Sequence, residues 1–256
     1  MSAQRNATET FLPTSASAKR TLAEQALSAL YERIMSGEFP PGYPLRLHEL
    51  AAELEMSPSP VREGLRRLEN MGLVVIQAHK GATVRPVSIE DFEDTYRTRL
   101  AIEALAIELA AERFSENDFL AARKALDDYR RFELEGQRLE ARKAHTRFHF
   151  SLYRASRSTW LLHAIEPVWE NSERYRFTTE ADTSHREQSD DEHEAILQAC
   201  AEHNVAGAVQ ALHNHLQHAS DRMRISLLPK LQYGQGDTEH SMDALAAHLN
   251  EKLEEQ

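Results

Sequence analysis

A single cysteine, Cys200, occurs in 256 residues, which excludes an internal disulfide framework and any cysteine-based zinc cluster. No apolar run approaches the roughly 18 residues that a membrane span needs, and 28% of the residues are charged. The opening stretch, MSAQRNATETFLPTSASAKR, lacks an apolar core followed by a small-residue cleavage site, so no signal peptide is read there. There is no Gly-rich phosphate loop, no Gly-x-Ser-x-Gly elbow and no Cys/His dyad. These absences set the expectation of a cytoplasmic protein that is not an enzyme and has no membrane partner.

Basic residues are also in deficit: 30 Lys and Arg stand against 41 Asp and Glu, a net charge of −11. As a sum this argues against a nucleic-acid partner, but the distribution matters more. Residues 20–87 carry eight basic and eight acidic side chains, whereas 88–256 carry twenty and thirty-two. Within 57–87, Arg62, Arg66, Arg67, Lys80 and Arg85 are opposed only by Glu63 and Glu69. Phosphate is repelled by most of the chain and attracted by one short stretch, so any contact with DNA is expected through one face.

The length allows two domains or one large one. Residues 1–19, rich in Ser, Thr and Ala, read as a disordered arm. Apolar residues at helical spacing predict a helix over 22–36, stopped by Gly37, and Phe39-Pro40-Pro41-Gly42 reads as a turn. A short helix over 47–55 follows, then a third opened by Ser57-Pro58-Ser59-Pro60 and ended by Gly72. Leu73–Gln77 and Ala82–Pro86 alternate as strands around a hairpin tip at His79-Lys80-Gly81. From Ser88 the pattern is helical, over 89–113, 116–135, 138–156, 159–176, 187–202 and 205–227. Ser88 with Asp91 and Ser115 with Asp118 read as capping boxes. A loop is expected over 178–184 and a short helix over 241–252. The expected fold is mainly α. An N-terminal winged helix-turn-helix domain spans 20–87, an all-α antiparallel helical-bundle effector domain spans 88–228, and a C-terminal tail spans 229–256.

Three short helices and a two-stranded wing suit a major groove about 12 Å wide, read by the N-terminal end of the third helix. That end offers Ser57, Ser59 and Arg62, with Arg66 further along. Arg62 suits a bidentate contact to guanine, and the serines with their helix-end amides suit phosphate. Lys80 at the wing tip suits the minor groove or the backbone, and Gly81 allows close approach. Taken singly, Arg62, Arg66 and Arg67 read as a solvated helix face; the turn, the hairpin and the focused charge together favour DNA.

The ordered landmarks are Gly37-Glu38-Phe39-Pro40-Pro41-Gly42, Leu45-Arg46, Leu50-Ala51, Ser57-Pro58-Ser59-Pro60-Val61-Arg62-Glu63-Gly64-Leu65, Gly72-Leu73-Val74 and Lys80-Gly81. With their gaps they resemble the DNA-binding domain of the GntR family over about residues 20–87. The resemblance implies that Arg46, Ser59, Arg62, Lys80 and Gly81 stand at DNA-contacting positions. The family usually has arginine where this chain has Pro58, so its operator preference is expected to differ.

Thirteen histidines is a high count. His145 and His149 lie four apart on one face of a predicted helix. His193 and His215 sit on two further helices beside apolar neighbours. In a bundle, four imidazoles from three helices would converge, and neutral imidazole suits Zn²⁺ or another borderline transition metal such as Ni²⁺. Against this stands the plainer reading of each as a surface or hydrogen-bonded side chain, which is kept for His163, His185, His203, His213 and His218.

Residues 88–227 resemble the helical effector domain of the FadR-type subfamily, known as FCD. The resemblance is carried by Tyr96-Arg97-Thr98-Arg99-Leu100-Ala101-Ile102-Glu103, His145-Thr146-Arg147-Phe148-His149, Glu192-His193-Glu194-Ala195-Ile196-Leu197 and Leu212-His213-Asn214-His215-Leu216. It implies a metal held by His145, His149, His193 and His215, with His145 where the family usually has Asp. It also implies a small organic-acid effector beside the ion. An ion without its carboxylate ligand attracts an anion more strongly, so a carboxylate clamped by Arg99 is expected, with Arg174 and Arg176 as weaker candidates whose plainer reading is pairing with acidic neighbours. The implied protein is a homodimer on a palindromic operator, nucleoid-associated when bound, most relatives being repressors released by their ligand.

Two rivals remain. A zinc hydrolase of the His-Glu-x-x-His type needs Glu beside the first His, and this chain has Thr146 and Arg147 there. A helical scaffold with incidental histidines leaves the winged motif and the charge focusing without a reason.

Overall fold

The computed structural model of the chain describes residues 21–77, 80–178 and 186–234. The expected N-terminal arm, His79 of the hairpin tip, residues 179–184 of the expected loop, His185 and the expected helix at 241–252 lie outside the described residues. The chain divides into two compact units, Met1–Pro86 and Val87–Gln256.

The first unit begins with α1, Leu22–Met35, whose N-terminus is closed by a reciprocal capping box between Thr21 and Glu24. Its buried stripe is Ala26, Leu30, Ile34 and Met35. Two short helices follow, α2 at Leu47–Glu53 and α3 at Pro58–Asn70. Helix α3 buries Val61, Gly64, Leu65 and Leu68 at the i, i+3, i+4, i+7 spacing that gives one apolar face. A Cβ on Gly64 would stand 3.1 Å from the Leu27 amide nitrogen, so this glycine is what allows α1 and α3 to close on each other.

Strands β2 at Val74–Gln77 and β3 at Gly81–Val84 form the expected hairpin, pairing antiparallel from Val74↔Val84 to Gln77↔Gly81. Gly81 takes φ +89°, a conformation that L side chains resist. A third strand, β1 at Pro44–Leu45, adds to the other edge of β3 and gives the order β1-β3-β2. The sequence reading missed it because two residues carry no alternation to detect. Its partner decides it: Val84 N–H donates to the Tyr43 carbonyl at 2.9 Å and Gly42 N–H to the Val84 carbonyl at 3.0 Å.

The second unit is built of α4 (Ile89–Arg113), α5 (Glu116–Leu134), α6 (Arg138–Arg154), α7 (Thr159–Thr178), α8 (Arg186–Ala201) and α9 (Val205–Gly234). Ser115 and Asp118 cap α5 reciprocally, as expected. Ser88 accepts from the Asp91 N–H, but the second half of its box is replaced: the Ser88 N–H donates to Tyr175 Oη, 87 residues away. Helix α9 continues through Pro229 to Gly234, past the expected end at 227.

Phe92 and Tyr96 of α4 pack with Tyr175 of α7 and with Ala219, Met223 and Leu227 of α9. Burying a side chain as large as Phe contributes about 1.5–3 kcal/mol, so this cluster is a principal clamp between the three helices. Among the described residues no helix is long and apolar enough to cross a membrane.

Candidate functional site

Helix α6 carries His145 and His149 one turn apart on its inner face, α8 brings His193, and α9 brings His215. All four are buried, at 2% exposure or less. Ring centroids are 4.6 Å apart for His145 and His149, 5.2 Å for His149 and His193, and 4.5 Å for His193 and His215. One nitrogen from each lies within 4.8 Å of the others, and Nε2 of His145 and Nε2 of His193 are 3.2 Å apart. Trp169 stacks on His145 at 5.6 Å, and the Tyr129 and Phe148 rings close further sides.

Burial holds all four imidazoles below their ordinary pKa. The Arg176 guanidinium adds to this at His145, and neighbouring imidazoles do so at His149 and His193. The cluster is therefore neutral at pH 7, each ring keeping one unprotonated nitrogen, which is the state metal ligation needs. Two of the nitrogens, Nε2 of His149 and Nδ1 of His193, are buried and have no hydrogen-bond partner. An orphaned buried polar atom costs roughly 1–3 kcal/mol, and a cation among the rings would relieve it. These residues fit a metal. Four neutral nitrogen donors suit zinc or nickel over the oxygen-seeking magnesium or calcium.

Outside the rings stands a layer that orients them. Glu192 Oε2 lies 3.0 Å from His215 Nδ1 and Oε1 lies 2.7 Å from Nδ1 of the exposed His218. Burial raises the Glu192 pKa, but the two histidines outweigh it and hold the carboxyl below the usual range. Tyr153 Oη lies 3.4 Å from His149 Nδ1 and donates to Glu103 Oε2 at 2.5 Å. Tyr153 follows His149 by one helical turn, and Glu192 immediately precedes His193, so both were within reach of a spacing argument. Trp169 and Tyr129 carried no such signal.

The three arginines expected at an anion fall in different places. Arg99 is buried, with Nε 2.5 Å and Nη2 3.2 Å from the two oxygens of Glu103 and Nη1 donating to Ser172 Oγ at 3.0 Å. Its fork is occupied by its own counter-ion. Arg174 lies along the first turn of α4, where Nη2 reaches Asp91 Oδ2 at 3.0 Å and Asn171 Oδ1 at 3.0 Å. Arg176 is the one against the imidazoles, with Nη1 3.3 Å from His145 Nδ1 and Nε 3.4 Å from Glu173 Oε1. Burial opposes ionisation of Glu173, yet Arg176 and Arg142 hold its carboxyl below the usual range, and Arg142 donates to it at 2.7 Å. Of the histidines read as surface residues, His163, His203, His213 and His218 are exposed.

In the first unit, Ser57, Ser59, Arg62 and Arg66 are exposed on α3. Ser57 is its N-cap and spends no side-chain bond on capping. Proline at the first and third helical positions, Pro58 and Pro60, removes two of the amide donors a helix start normally offers, leaving those of Ser57 and Ser59. Arg67 is tied to Glu63 at 3.2 Å, and the exposed Arg46 pairs with Glu49 at 3.0 Å. Lys80 and Gly81 are exposed at the start of β3.

Comparison with known proteins agrees in both units. Residues 22–84 match the family model described as bacterial regulatory proteins of the gntR family, and residues 94–218 match that of the FCD domain. The chain is 32% identical over 146 residues to the "Probable D-xylose utilization operon transcriptional repressor" of Paenarthrobacter nicotinovorans, across 57% of this chain and 64% of that protein. It is 29% identical over 190 residues to the Nta operon transcriptional regulator of Aminobacter aminovorans, across 74% of this chain and 88% of that protein. The solved structure of Escherichia coli McbR/YncC has the same fold, with a TM-score of 0.70 at 21% identity over 80% of this chain and 98% of that one.

Proposed function

The chain belongs to the GntR family of bacterial regulatory proteins and carries an FCD domain after its helix-turn-helix; from that premise we propose that this transcriptional regulator senses a small carboxylate beside a metal ion held by His145, His149, His193 and His215. One observation carries the reading: four buried, neutral imidazoles from three helices converge within 4.8 Å, two of them with an unsatisfied nitrogen. Zinc is the ion we assign, with nickel as the alternative. A bound divalent ion would supply a Lewis-acidic point for a carboxylate oxygen. None of the four ligands is anionic, and the cation in contact with them is Arg176. A divalent ion held by four neutral ligands would draw an anion, and Arg176, which lies against the rings while also pairing with Glu173, takes the clamping role that the sequence reading gave to Arg99.

On the DNA side we assign base reading to Arg62 and Arg66, and backbone contacts to Arg46, Ser57, Ser59, Lys80 and Gly81. The exposed side chains of α3 and the charge focused on 57–87 support this. The protein works as a homodimer, so that two copies of α3 read the half-sites of a palindrome. It acts as a repressor released by its ligand, through a coupling of about 1–3 kcal/mol. Between His145 and His149 stand Thr146, Arg147 and Phe148, with no carboxylate to serve as a base, which favours a sensor over a hydrolase.

The test uses duplexes from the protein's own promoter region. The wild-type chain should retard one of them, with log K falling by roughly 0.9 per phosphate contact as log salt rises. Arg62→Ala should lose about 1–3 kcal/mol of discrimination between that duplex and a scrambled one. His193→Ala should keep DNA binding and lose zinc in a chelator competition. Wild-type zinc affinity in His193→Ala would remove the metal assignment, and failure to retard any duplex at low salt would remove the DNA reading.

A further inference from the structure

We propose that the end of α7, Glu173 to Arg176, is a lever that reports occupancy of the imidazole cluster to the first turn of α4, with Asp91 as its receiver. The inference rests on the metal reading above and goes on to name the residues that carry its signal.

Four successive side chains of α7 are engaged on two other helices. At one end of the segment Glu173 accepts from Arg142 of α6 at 2.7 Å, and at the other Arg176 lies 3.3 Å from His145 of α6. Between them, Arg174 and Tyr175 hold α4. Arg174 Nη2 reaches Asp91 Oδ2 at 3.0 Å, and Tyr175 Oη reaches the same oxygen at 2.5 Å. Asn171, one turn earlier, adds a third donor to that oxygen at 2.9 Å. Tyr175 Oη also lies 3.4 Å from the Ser88 amide and 3.2 Å from the Ser88 carbonyl oxygen. The Tyr175 ring meets Phe92 edge-on at 5.2 Å, which ties the same residue into the apolar core.

The contacts are rigidly linked because residues 173–176 form a single helical turn. A displacement of that turn's backbone would move Arg174, Tyr175 and Arg176 together. A cation entering among the rings repels the guanidinium of Arg176, and an anion bridging the two draws it back. Passed to the backbone of the turn, that push or pull changes the grip of Arg174 and Tyr175 on Asp91. Ser88 and Asp91 form the N-terminal turn of α4, directly after the boundary between the two units at Pro86 and Val87. A first turn held by a side-chain hub from another helix, in place of the second half of its capping box, is the element such a lever needs.

Hydrogen exchange on the full-length protein, with zinc alone as the probe, tests this. Zinc should slow exchange several-fold in peptides covering 141–153 and 189–197, and speed it at least threefold in the peptide covering 89–96. In Asp91→Asn and in Tyr175→Phe, which leave the histidines and the aromatic packing in place, the first two responses should persist. The 89–96 peptide should then exchange rapidly from the start and ignore zinc. Zinc protection of the histidine peptides with no change at 89–96 in the wild type would overturn the lever, as would a wild-type response in either variant. No protection at 141–153 or 189–197 would instead remove the metal reading, and the lever with it.

Discussion

Replacing Glu103 with alanine asks whether Arg99 is part of the scaffold or a ligand clamp. In the fold Glu103 has no exposure, and it takes two bonds from Arg99, at 2.5 and 3.2 Å, and one from Tyr153 at 2.5 Å. Removing the carboxylate strands a guanidinium that is 3% exposed. Breaking one side of a buried pair costs roughly 3–5 kcal/mol, against about 0–1 kcal/mol for a surface pair. For a unit of this size each kcal/mol moves Tm by about 2–4 °C, so Glu103→Ala should lower Tm by roughly 6–20 °C. The double variant Arg99→Met with Glu103→Leu removes both charges at similar volume and should recover most of that loss. A residue of about 1–2 kcal/mol should remain, because the Tyr153 hydroxyl loses its acceptor. The assay is thermal unfolding of metal-free protein followed by circular dichroism at neutral pH. A Tm for Glu103→Ala within a degree or two of wild type would refute the argument, as would a double variant no better than the single one. Either result would mean that Arg99 finds its counter-charge elsewhere, as a ligand clamp does.

Three further outcomes are expected. Glu192→Gln should weaken zinc binding 10–100-fold in chelator competition, since Glu192 orients His215 from outside the cluster; an unchanged affinity would place His215 outside the ligand set. Metal-free protein should lose stability as pH falls below about 6.5, because the unfolded chain then takes up protons that the four buried imidazoles refuse, at roughly 1.4 kcal/mol per pH unit for each. Above that pH these groups are neutral in both states and contribute no slope, so a Tm that stays flat between pH 7.5 and 5.5 would count against four neutral imidazoles. Cys200 is buried and its thiol is pushed up to about 12 by desolvation, so a thiol reagent should label it only in denaturant; rapid labelling of native protein would show that the α8 core opens.

Much of this was legible in the chain because the governing forces are local. Helical spacing of apolar residues, the Ser115 cap, the Ser57-Pro58-Ser59-Pro60 start of α3 and the i, i+4 pair on α6 are each set within one or two turns. What failed to read was set by partners distant in sequence. Strand β1 exists because β3 offers an edge. The second half of the Ser88 box gives way because Tyr175 arrives from 87 residues on.

The arginines divide along the same line. Sequence placed three cations near the histidine helices and ranked Arg99 first, from its place among the landmarks of the resemblance. Glu103, one turn along α4, takes the fork of Arg99, and Asp91 takes Arg174. Arg176 pairs with Glu173 and lies against His145. The sequence alone determined which residue types and periodicities were available: a focused basic helix, a wing and four histidines on three helices. Only the tertiary structure decided which charges neutralise each other and which imidazole nitrogens stay unpartnered. Those outcomes depend on distances between helices, and a linear order carries no record of them.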